Sequence, residues 1–85
     1  MSEWFDERLA AKWFRAYCGP DVTLLGIAVS RPETREVTAR YRIGGERKDR
    51  WASIGCGGGA EQLRSRAEAL GQVARRRSQG KWAVA

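Results

Sequence analysis

The sequence predicts an α+β domain of order α-β-β-β-α, a three-stranded antiparallel sheet with two helices packed on one face. The first observation behind this prediction is the apolar–polar alternation within residues 34–43, the cleanest in the chain, which is typical of a half-buried strand. The second is a pair of segments, residues 3–18 and 60–77, whose apolar side chains recur at helical spacing. Glycine and proline pairs separate these segments and predict turns between them.

The first helix is predicted to begin at Glu3 with Ser2 as its N-cap, and to end at the pair Gly19-Pro20. Its predicted core face consists of Phe5, Leu9, Trp13, Ala16 and Tyr17. Another side carries a basic stripe of Arg8, Lys12 and Arg15. These charges repel one another unless an anion neutralises them, although a solvated polar face is the simpler interpretation.

Residues 21–30 are dense in β-forming side chains and predict a buried strand or an interaction edge, with a bulge near Gly26. In residues 34–43, the predicted core-facing side chains are Val37, Ala39, Tyr41 and Ile43. Arg40 and Arg42 alternate with them and are therefore expected on the solvent face.

The third strand is predicted over residues 47–54, after a hairpin turn at Gly44-Gly45. Its register is ambiguous. A two-residue loop places Ala52 and Ile54 on the face of Tyr41, whereas a three-residue loop places Trp51 and Ser53 there. The sequence therefore leaves open whether Trp51 is buried.

The last helix is predicted over residues 60–77, with a core face of Leu63, Ala67, Leu70 and Ala74. Residues 78–80 are expected to end it, giving one domain at 1–80 and a tail at 81–85. Before it, the amides of Gly57, Gly58 and Gly59 could contact a phosphate. Ala60-Glu61 stands where a P-loop has its lysine, so a tight joint is the favoured interpretation.

Composition restricts the function. The chain has 85 residues, a formal net charge of +6, no histidine and two cysteines. These features argue against histidine-based catalysis and a Cys/His zinc site, so we expect no enzyme activity, no metal and no cofactor. The sequence has no apolar run of the ~20 residues that span a bilayer, and its acidic N-terminus lacks a signal peptide's features. A cytoplasmic location is expected.

The basic balance predicts an anionic partner, either nucleic acid or an acidic protein surface. The candidate phosphate-binding residues are Arg8, Lys12, Arg15, Arg31, Arg40, Arg42, Arg75, Arg76 and Arg77. The alternative is an inhibitor or adaptor that contacts a protein through Trp51, Trp82, Leu25 and Ile27. Self-association as a homodimer is a third option.

The element order and the glycines before the last helix resemble the double-stranded RNA-binding domain over residues 8–77. The resemblance implies duplex contacts from the helix 1 stripe (Arg8, Lys12 and Arg15) and from the first loop (Arg31 and Pro32). The family's basic cluster at the start of the last helix is absent here, where Gly58, Gly59 and Glu61 stand. In style, the chain also resembles small accessory proteins of phages and mobile elements that block host machines such as a CRISPR complex or a motor ATPase.

Overall fold

The computed structural model describes residues 5–55 and 62–82, apart from the side chains of the last two. It confirms the predicted order of two helices and three strands. The elements are α1 (Glu7–Cys18), β1 (Val22–Arg31), β2 (Glu36–Ile43), β3 (Arg50–Ile54) and α2 (Leu63–Trp82), with a 3-10 turn at Pro32–Thr34. Neither of the described helices is long and apolar enough to cross a membrane.

α1 begins later than predicted and ends where predicted. Its first residue is Glu7, and Asp6 is the N-cap, with an extended backbone and a carboxylate that accepts hydrogen bonds from two backbone amides at 2.9 and 3.1 Å. Aspartate is among the strongest N-caps. Because Asp6 holds that position, the helix begins at Glu7, and the predicted start at Glu3 is wrong. The helix stops at Cys18 because Gly19 adopts a φ of 89°, which favours glycine.

The buried side of α1 also differs from the prediction. Its fully buried residues are Ala10, Phe14 and Cys18. Leu9 and Tyr17, expected in the core, are 41% and 37% exposed. The reason is the close approach of α2, since a Cβ atom added to Gly71 would lie 2.5 Å from the carbonyl oxygen of Phe14. A crossing this close requires small neighbours, so α1 turns toward α2 the side on which Ala10 and Cys18 lie one turn before and after Phe14.

The sheet is antiparallel, with β2 between β1 and β3. The predicted alternation of β2 is confirmed. Four of its residues are completely buried beneath the helices: Val37, Ala39, Tyr41 and Ile43. Arg40 and Arg42 point to the opposite side and are exposed. We call the helix-covered side the inner face and the opposite side the outer face.

β1 carries the bulge that was predicted near Gly26. The pairing with β2 shifts by one residue just before Gly26, so Leu25 is an extra residue in the strand. The bulge reverses the alternation, leaving Leu25 37% exposed and turning Ile27 into the core at 4% exposure. Of these two candidate interface residues, only Leu25 therefore presents its side chain to solvent.

The hairpin register places Trp51 on the outer face. Arg40 is paired with Trp51, and Ala39 with Ala52. Ala52 therefore lies on the face of Tyr41, as a two-residue loop would place it, but the pairing is shifted by two residues from that register, since Tyr41 pairs with Arg50. This orientation follows from the even number of residues in the connection between β2 and β3.

The connection itself is longer than predicted. A turn does form at the two glycines, where the amide of Glu46 donates to the carbonyl of Ile43 at 3.0 Å and Gly45 has a φ of 85°. β3 begins only at Arg50, so residues 46–49, partly predicted as strand, belong to a loop.

α2 has the predicted core face but continues beyond the predicted end at Arg77, reaching Trp82. The core-facing side chains are all buried: Leu63, Ala67, Leu70 and Ala74. Ser78 lies one turn further on the same side and is 5% exposed, so burial continues past Arg77. A glycine inside a helix costs only about 1 kcal/mol, and Gly80 therefore does not end it.

Candidate functional site

The outer face presents an exposed tryptophan beside an arginine. Trp51 on β3 is 60% exposed. Across from it on β2, Arg40 holds its guanidinium carbon 5.7 Å from the centre of the indole ring. At this separation the positive charge is attracted to the electron-rich face of the ring. The pair combines a flat aromatic surface with a cation.

A carboxylate partly neutralises this surface. Asp49, in the loop between β2 and β3, accepts two hydrogen bonds from Arg42 through one oxygen, at 2.6 and 3.1 Å. Its second oxygen lies 3.9 Å from Nε of Arg40. The two arginines therefore share one carboxylate, and Arg40, Arg42 and Asp49 together carry a net charge of +1.

A hydrogen-bonded chain of hydroxyls lies next to the aromatic pair. Thr38 donates its proton to Ser30 at 2.8 Å, and Ser30 donates to a carboxylate oxygen of Glu36 at 2.7 Å. A hydroxyl has one proton, so in the 2.7 Å bond between Thr38 and Ser53 the donor is Ser53. Each hydroxyl proton of this hydrogen-bonded series therefore points toward Glu36. The hydroxyl oxygens offer lone pairs to a ligand on the outer face.

A groove of about 440 Å³ runs along β1 and reaches Trp51. It is open above β1 because Gly26 and Ala28 have little or no side chain, and a Cβ atom added to Gly26 would meet nothing within 4 Å. Arg40 lines the groove beside Trp51, and Glu7 of α1 also contributes to its lining. The volume falls within the range of small-ligand pockets.

The basic stripe of α1 is exposed, as the prediction required. Arg8, Lys12 and Arg15 all lie on the solvent side of the helix. Within the described part of the chain, none of the three forms an ion pair. Arg31, at the end of β1, is exposed as well.

The arginines near the end of α2 divide into two kinds. Arg75 and Arg76 are exposed and form no ion pair with a described residue. Arg77 instead donates to the hydroxyl of Tyr41 at 2.7 Å and to the backbone carbonyl of Trp51 at 3.0 Å. Arg77 therefore fastens the helix to the sheet beneath the exposed indole ring.

The candidate phosphate-binding residues do not form one site. Arg40 and Arg42 lie on the outer face, whereas the arginines and lysine of the two helices lie on the other side of the sheet. The glycines at 57–59 and the side chain of Trp82, also predicted as candidates, lie outside the described residues.

Three basic residues deserve mention among those that the sequence analysis did not select as candidates. Arg47 and Lys48 are exposed in the loop that also carries Asp49, next to Arg42. Both lie within the third strand that the sequence predicts, and only a longer connection between β2 and β3 places them in a loop. Arg66 of α2 is 4% exposed, and its Nη1 atom has no hydrogen-bond partner among the described residues. Its position three residues after Leu63 on the core face predicts that burial.

The described residues offer little for covalent or metal chemistry. Cys18 is a free thiol that is 3% exposed, and burial raises its pKa, which disfavours the reactive thiolate. Cys56 lies outside the described part. Among residues 5–55 and 62–82, no group of three or more histidine, cysteine, aspartate or glutamate side chains is arranged to hold a metal ion.

The fold and the site define a small α+β domain with an arginine–tryptophan surface on the open side of its sheet. Comparisons with protein-family models, curated proteins and solved structures found no match to this chain.

Proposed function

We propose that this protein is a small non-catalytic domain that binds nucleic-acid phosphates through its arginine-rich surface. The observation that carries the proposal is a set of exposed basic side chains that form no ion pair within the described residues: Arg8, Lys12, Arg15, Arg75 and Arg76. A side chain without a local carboxylate can neutralise a phosphate and release its counterions. The proposal places the protein in the cytoplasm.

Arginine suits this role better than lysine would. Its planar fork donates two parallel hydrogen bonds to a phosphate and also stacks on rings. Thirteen of the sixteen basic residues are arginine, and the formal net charge is +6. Both faces of the molecule carry exposed arginines, which is compatible with a strand or duplex contacting more than one side.

Salt dependence tests the proposal. Affinity for labelled single- and double-stranded oligonucleotides should fall steeply between about 50 and 200 mM salt, in a linear relation between the logarithms of affinity and salt. Fluorescence anisotropy measures it. Absence of binding to any RNA or DNA at about 50 mM salt would overturn the proposal, because low salt favours phosphate contacts.

A charge-matched pair of variants locates the contact. Arg15→Gln removes an arginine without a described ion-pair partner, and we expect affinity to fall several-fold and the salt slope to decrease by about 0.7 to 0.9. Arg64→Gln removes the same charge from an arginine that is 3.0 Å from Glu68. This control should have a smaller effect. Equal effects of the two variants would show that net charge alone governs binding.

The second candidate function is an inhibitor that blocks a host protein machine by direct contact. It is favoured by the exposure of two large apolar side chains, Trp51 at 60% and Leu25 at 37%, on the same sheet. Exposed tryptophan flanked by arginine is typical of protein-interface hot spots. A pull-down from host lysate that survives nuclease treatment would favour this function, and loss of every partner on nuclease treatment would contradict it.

A further inference from the structure

We infer that the outer face binds single-stranded nucleic acid in preference to a duplex, with one unpaired base stacked on Trp51. This inference rests on the proposed function and adds a base contact on the outer face to the phosphate contacts of the helices. The carrying observation is the combination of an exposed ring, a cation beside it and an adjoining open groove.

The geometry leaves room for a base. Trp51 is 60% exposed, and the groove beside it has about 440 Å³. Gly26, which occupies the same cross-strand row as Arg40 and Trp51, leaves the space above β1 open. In a duplex each base is already stacked on its neighbours, so stacking on a protein ring requires an unpaired base.

The polarity of the outer face gives the bound strand an orientation. Arg40 and Arg42, with Asp49 between them, carry a net charge of +1 and provide a phosphate contact. On the other side of the Trp51 row, the protons of the hydroxyl chain point toward Glu36. The hydroxyl oxygens can therefore accept a hydrogen bond from an amino or imino group of the base, while the phosphate lies toward the arginines.

The test compares one oligonucleotide of about 12 nucleotides as a single strand and as a duplex, a length within the range that single-strand-binding domains cover. For Trp51→Ala we expect affinity for the single strand to fall about 10-fold to 100-fold. Affinity for the duplex should not change. The salt slope should also stay the same, because the substitution removes no charge. Trp51→Phe should retain most of the affinity because it keeps an aromatic ring.

Leu25→Ala is the matched control, since Leu25 is an exposed apolar residue of the same sheet but lies outside the Trp51 row. It should leave both affinities unchanged. A circular-dichroism melt of each variant confirms folding. A nucleoside monophosphate serves as a separate arm, and it should bind far more weakly than the strand.

Each outcome has a definite consequence. Unchanged single-strand affinity in Trp51→Ala, equal loss in Leu25→Ala, or a monophosphate that binds as tightly as the strand overturns the inference. If binding to the duplex remains salt-sensitive in those cases, only the inference about Trp51 is rejected and the proposed function is kept. If the wild-type protein binds neither strand nor duplex at about 50 mM salt, both fail and the protein-contact alternative is favoured.

Discussion

The two faces of the sheet are built from the same strands yet have opposite physical properties. On β2, Ala39 and Tyr41 are fully buried beneath the helices, whereas Arg40 between them is about half exposed beside Trp51. Strand alternation therefore divides the residues of one segment between folding and solvent contact. Substitutions on the inner face should change stability, and substitutions on the outer face should change binding. The following experiments test this division.

The largest expected effect is at the helix crossing above the inner face. Gly71→Ala introduces a methyl group 2.5 Å from the carbonyl oxygen of Phe14, a backbone atom that cannot move without separating α1 from α2. We expect the free energy of unfolding to fall by about 3 kcal/mol, at the upper end of typical overpacking. Urea denaturation followed by circular dichroism measures it.

Gly80→Ala is the matched control on the same helix. A Cβ atom there meets nothing within 4 Å, so the substitution should stabilise the protein by about 0.5 to 1 kcal/mol through helix propensity. Similar midpoints for the two variants would contradict the close crossing of α1 and α2.

A smaller effect is expected where the inner face meets α2. Tyr41→Phe removes the hydroxyl that accepts a 2.7 Å hydrogen bond from Arg77. We expect the free energy of unfolding to fall by only about 1 kcal/mol, because Arg77 is partly solvated and keeps its hydrogen bond to the carbonyl of Trp51. Tyr17→Phe is the control, since Tyr17 is 37% exposed and should lose almost nothing. Thermal melts that rank the two variants in the opposite order would show that the Arg77 bond does not hold the layers together.

Regular periodicity made part of the molecule predictable. The alternation of β2 placed Arg40 and Arg42 on the outer face, and helical spacing gave the core face of α2. In both segments the apolar residues recur at one regular spacing, so each pattern indicates a single buried face. The bulge of β1 was also predicted, since Gly26 interrupts an otherwise apolar strand.

The remaining features depend on how elements meet, which local patterns do not encode. α1 has large apolar side chains on more than one side, and its buried side was decided by the close approach of Gly71 on α2. The exposure of Trp51 depended on whether the hairpin connection has an even or an odd number of residues, and the glycine pair fits either. The pairing of Asp49 with Arg42 became visible only with that register.

The smallest expected change in stability, with a measurable change in binding, is at Asp49. Asp49→Asn removes the charge that Arg42 and Arg40 share on the outer face. These ion pairs are partly exposed, so the free energy of unfolding should change by less than about 1 kcal/mol. The freed arginine can contact a phosphate, and we expect tighter single-strand binding with a salt slope steeper by about 0.7.

Glu46→Gln makes the same change in net charge away from the outer face. Glu46 holds Arg50 through bonds of 2.6 and 2.8 Å, and Arg50 pairs with Tyr41 and therefore points to the inner side. If the outer face contacts the bound strand, Glu46→Gln should raise affinity less than Asp49→Asn does. Anisotropy titrations at several salt concentrations compare the two. Equal gains would mean that bound nucleic acid responds to total charge, and the distinction between the faces would then apply to folding only.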